Sequence, residues 1–203
     1  MVSEKQFYTF TVAKALIHCY GKGRTPLYMP EVVNLSPTLD RRIVSGSIRA
    51  TGKTPRGSPI VLYAHVPHYF NNAKNLENAK LVDGAGILPE SEFHRLLKLE
   101  GKGVFVVEYE KLNKSVCGDL EHHAAMSHPQ TVPFLGKQAS KFLEKSRNTT
   151  IQSFHSADLG KYPVARFLMV NPREGILNSW EDFGSNGCFV IPYNKEEALV
   201  RSK

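Results

Sequence analysis

At 203 residues and 41 % hydrophobic content, the chain is long and apolar enough to bury a core without disulfides or a metal. Its charged fraction of 22 %, spread among recurring apolar runs, excludes a disordered chain, and three scattered cysteines exclude a disulfide framework. The net charge of +7 is lopsided: the first sixty residues hold nine Lys or Arg against three acids, a field that favours acidic partners.

The predicted elements run as follows. Phe7, Phe10, Ala13, Ile17 and Tyr20 recur at three- and four-residue steps and predict a helix over 6–20, stopped by Gly21 and Gly23. A connector over 25–30 leads to Val32-Val33-Asn34-Leu35, read as a short strand. Residues 43–66 read as two strands joined by a turn over 52–58, because Gly52, Thr54, Pro55, Gly57 and Ser58 are turn formers. The run Ile60-Val61-Leu62-Tyr63-Ala64 suits a central strand. A helical segment ending near Lys80 precedes the break at Asp83-Gly84-Ala85-Gly86. Pro89, Glu90 and Glu92 then open a helix whose buried stripe is Phe93, Leu96 and Leu97. Val104-Phe105-Val106-Val107 is the strongest strand signal and is also read as central. Residues 111–132 read as polar loop, 133–145 as a helix, and 150–154, 165–170 and 189–191 as strands. The sum is one α+β domain over 1–203, with a central mixed sheet of about five to six strands and about four helices.

Gly52-Lys53-Thr54 lacks the earlier glycine of a phosphate-binding loop, since Ser47 stands five positions before Gly52. No nucleophile elbow is present. Glu108 and Glu110 share a strand face, which reads first as the solvated side of an edge. His65 and His68 flank Pro67, which bends the chain and lets both rings reach one metal such as Zn²⁺, Mn²⁺ or Fe²⁺. His122, His123 and His128 cluster near Asp119 and Glu121 in the polar stretch. Lys137, Lys141 and Lys145 recur along one predicted helix face, and Tyr20, Lys22, Arg24 and Tyr28 mix aromatics with cations.

The densest cationic stretch is Arg41, Arg42, Arg49, Lys53 and Arg56, with no acid among them. The leading expectation is therefore a nucleic-acid or other polyanion-binding protein using this basic face. The alternatives are a hydrolase, metal-dependent through His65 and His68, acting on a phosphorylated substrate, or an interaction protein. No motif assigns a cofactor, and none sets the oligomeric state. No apolar run approaches the ~20 residues of a spanning helix, so no membrane partner is expected. The N-terminal residues lack a signal-peptide pattern, which points to the cytoplasm and to Cys19, Cys117 and Cys188 as reduced thiols.

Overall fold

The computed structural model describes residues 11–35, 42–111, 121–125, 128–145, 149–153, 160–171, 174–181, 183–184 and 189–193. In chain order the elements are α1 (Val12–Gly21), β1 (Thr25–Pro26), α2 (Met29–Leu35), β2 (Ile43–Lys53), β3 (Pro59–Ala64), α3 (Ala73–Glu77), β4 (Leu81–Val82), β5 (Ala85–Ile87), α4 (Glu90–Leu97) and β6 (Val104–Glu108). There follow β7 (Glu121–Ala124), α5 (Thr131–Leu135), α6 (Ala139–Lys145), β8 (Thr150–Ser153), β9 (Val164–Asn171), β10 (Ile176–Glu181), β11 (Phe189–Val190) and β12 (Pro192–Tyr193). The α+β class and the mixed sheet are as expected.

The sheet runs β6-β3-β2-β9-β10-β8-β7, with β11 added beside β2 and the small β4–β5 hairpin added beside β9. Most pairs are antiparallel; β10 with β8 and β11 with β2 are parallel. β1 and β12 form a separate two-stranded ribbon. Side chains alternate between two buried faces. Ile48, Ala50, Leu62, Ala64, Phe167 and Met169 point to one core, which α1, α3 and α4 cover with Leu16, Leu76 and Phe93. Ile43, Val61, Tyr63, Leu168 and Val170 point to the other, which α2, α5 and α6 cover with Met29, Phe134 and Ala139. Burial on both faces explains why β3 and β9 read as continuous apolar runs although their neighbours are antiparallel.

Three expectations are corrected. Val32 to Leu35 belongs to a helix. Pro30 sits in its first turn, the Glu31 carboxylate accepts from the Tyr28 N–H at 2.8 Å, and Met29, Val32 and Val33 make one buried stripe. Among the described residues β6 is an edge strand laddered with β3, so Phe105 and Val106 are half-buried. The predicted helix over 133–145 is two short helices joined by a 3₁₀ turn over Gly136–Gln138, because Gly136 adopts φ 61° and breaks the first.

Candidate functional site

The β2–β9 pairing slips between Val44 and Ile48, so Ser45, Gly46 and Ser47 form a bulge. This bulge ties together segments distant in sequence. The Gly46 N–H donates to the Leu27 carbonyl at 2.7 Å, and the Ser45 hydroxyl donates to the Leu168 carbonyl at 3.1 Å. The Ser47 hydroxyl oxygen accepts from the Met29 N–H at 2.8 Å and lies 2.9 Å from His65 Nδ1.

The two histidines expected to hold a metal sit against this bulge. His65 Nε2 lies 2.8 Å from the Pro133 carbonyl, which can only accept, so Nε2 carries the proton and Nδ1 accepts from Ser47. Both ring nitrogens are thereby engaged within the protein. His68 Nε2 likewise donates to the Gly46 carbonyl at 2.8 Å. Burial pushes each imidazole down to about 4, against the opposing effect of these carbonyl bonds, so both rings are neutral near pH 7. Among the described residues, no three His, Cys, Asp or Glu side chains converge in a metal-binding group. Asp119 and Cys117 lie outside the described residues, as do Arg41 and Cys188.

The described basic residues do not form one surface. Lys53 and Arg56 are exposed at the β2–β3 hairpin tip, as the turn chemistry predicts. Arg49 is only 1 % exposed in the middle of β2, opposite Tyr63 on one side and Arg166 on the other, and it is not a free cation. Arg42 is half-buried at the start of the same strand. Alternation along a strand buried on both faces leaves no solvent side for Arg49, which is why the expected continuous basic face fails.

A cleft of about 500 Å³ opens where the end of α1 meets the start of α3, lined by Tyr20, Gly23, Arg24, Thr25, Asn71, Asn72, Ala73 and Lys74. Its floor is fastened to the bulge. Asn71 Nδ2 donates to the Tyr20 hydroxyl oxygen and, at 3.4 Å, to the Gly46 carbonyl, while Asn71 Oδ1 accepts from the His68 N–H at 2.8 Å. Asn72 caps α3, its Oδ1 accepting from the N–H groups of Lys74 and Asn75. Next to Tyr20, Cys19 is a buried free thiol whose Sγ meets the Arg24 carbonyl; burial pushes it up to about 11 despite the Arg24 charge, which keeps it protonated at neutral pH. The mixture of aromatics and cations in the sequence marks Tyr20 and Arg24 but not Asn71, Asn72 or Lys74. The run of asparagines was the available signal, since Asn favours caps and turns.

No family model and no curated protein matches the chain. A solved structure described as "Accommodation of massive sequence variation in Nanoarchaeota by the C-type lectin fold" is 35 % identical, covering 95 % of this chain and 100 % of that one, with a TM-score of 0.78. The chain belongs to this C-type lectin-fold family. That membership overturns the two leading functional expectations, nucleic-acid or polyanion binding and phosphorylated-substrate hydrolysis, which do not fit a C-type lectin-fold relative at this identity. The physical reasons are local: the cationic stretch is split by the burial of Arg49, and both ring nitrogens of His65 and Nε2 of the buried His68 are engaged in internal hydrogen bonds. No helix among the described residues is long and apolar enough to cross a membrane.

Proposed function

We propose that this C-type lectin-fold protein is a non-catalytic recognition protein, in which a fixed buried frame carries an exposed surface that can change in sequence and bind glycan or protein ligands. The observation carrying this reading is the relative of 35 % identity and TM-score 0.78, whose own description is of massive sequence variation accommodated by the fold. Roughly two-thirds of the aligned positions differ while the fold persists. A frame of this kind needs internal fastenings independent of its surface, and the bulge at Ser45 to Ser47, with His65 and His68, supplies them. The whole chain, 1–203, acts as one domain in this reading. The cytoplasm is kept as its compartment, consistent with the free thiol of Cys19.

A display library tests the proposal. Exposed positions such as Arg24, Lys53, Arg56 and Lys74 are randomised together, and in a second library the buried Ser45, Ser47, His65 and His68. Folded fraction and binding are then read on an array of glycans, proteins and nucleic acids. Surface variants should stay folded and differ in glycan or protein preference, whereas frame variants should lose fold. Equal intolerance in the two libraries, or a surface library with no glycan or protein binder at all, would defeat the reading.

A further inference from the structure

We infer that the cleft between α1 and α3 is a binding subsite for a single carboxylated sugar unit, such as a hexuronic acid residue. The assignment of a sugar rests on the recognition reading above; the assignment of a carboxylate rests on the cleft itself. The described polar groups facing it are biased toward donors. The Tyr20 oxygen already accepts from Asn71 Nδ2, which leaves its O–H to donate outward. Asn72 Oδ1 is occupied by the α3 cap, which leaves its Nδ2 hydrogens. Arg24 and Lys74 add two cations, and neither has a carboxylate partner among the described residues. Among the described residues no acid lines the cleft, and of their side chains only the Thr25 hydroxyl, a donor as well, offers an acceptor not already engaged.

Such a set matches a ligand rich in acceptors with one negative charge, because charge-assisted bonds from guanidinium and ammonium to carboxylate are the strongest on offer. The volume of about 500 Å³ lies within the range of small-molecule sites and exceeds what a bare ion fills. Two cations suit one carboxylate, not a polymer of phosphates. The floor is preorganised, since Asn71 is held by His68 and by the Gly46 carbonyl, so little side-chain entropy remains to be lost there on binding.

The test is a titration of the ¹⁵N-labelled full chain, followed by amide chemical shifts, with glucuronate, glucose and inorganic phosphate in parallel. Glucuronate should saturate below roughly 10 mM, a weak affinity expected for one small ligand in an open site. Its shifts should centre on Gly23, Thr25, Asn72 and Ala73. Glucose should bind at least tenfold more weakly. Arg24→Gln and Lys74→Gln should each weaken glucuronate at least fivefold, whereas Lys102→Gln, exposed in the turn before β6 and away from the cleft lining, should leave it unchanged. Glucose equal to glucuronate, phosphate equal to glucuronate at the same amides, shifts centred elsewhere, or no saturation would each overturn the proposal. A null titration alongside a surface library that does yield glycan or protein binders would sink this subsite alone and leave the recognition reading standing.

Discussion

Replacing Ser47 by alanine strands two groups at once. Its hydroxyl oxygen is fully buried, accepts from the Met29 N–H and donates its hydrogen to His65 Nδ1. An unsatisfied buried polar group costs about 1–3 kcal/mol, so Ser47→Ala should lower stability by at least that much. A denaturant midpoint within error of the wild type would show that the bulge is not a fastening. Gly52 makes the complementary case. A Cβ there would lie 2.8 Å from Cζ of Phe93, the tip of a ring that abuts the strand at this glycine. Gly52→Ala should therefore cost about 1–3 kcal/mol through overpacking, read in the same assay. The glycine that superficially suggested a phosphate loop is explained by an aromatic neighbour forty-one residues on. No local pattern could have announced that neighbour.

Elements were legible where their signals are local. The β2–β3 hairpin follows from turn formers between apolar runs, with Thr54 and Ser58 closing the tip through a 2.9 Å backbone bond. α4 follows from Pro89 and its first-turn acids. α2 was misread because a four-residue apolar run fits strand and helix equally, and the deciding cues, Pro30 and Glu31, stand just before it. The position of a strand in the sheet is not written locally at all. β6 carries the most apolar run and yet lies at the edge, while β2, with its serines, glycines and Arg49, lies inside. A pair of truncations separates the two positions. Leu62→Ala in β3, fully buried, should cost about 2–5 kcal/mol, and Val106→Ala in the half-buried edge strand less than about 1.5 kcal/mol. Equal costs would contradict the sheet order. The cleft was illegible for the same reason: its two walls, 20–25 and 71–74, are far apart in sequence and are brought together by tertiary packing and by bonds such as that from Asn71 to Tyr20.

At the scale of the whole molecule, the buried histidines make stability depend on acid. His65 and His68 titrate near 4 when folded, because burial disfavours the imidazolium, and near 6.5 when unfolded. Between those values the unfolded chain binds more protons than the native one, so stability is fully present above about pH 6.5 and is lost as pH falls toward 4. Each ring contributes a slope of up to about 1.4 kcal/mol per pH unit in that window. Protonated His68 would face the carboxylate of Glu92 and the guanidinium of Arg95, and its Nε2 is already committed to Gly46. Glu92 acts later and with the same sign. Burial opposes its ionisation, but the hydrogen bond and charge of Arg95 and the Tyr69 N–H together hold it below the usual carboxylate range, so its contribution fades only under more acid conditions. Unfolding free energies measured by denaturant from pH 7.5 to 4.5 should fall progressively below pH 6.5 for the wild type. His68→Gln should start from a lower stability at pH 7, since the bond to Gly46 is disturbed, but its decline with acid should be about half as steep. Parallel curves for wild type and variant would mean that His68 is not held neutral in the fold, and would remove the acid-labile fastening from beneath the cleft.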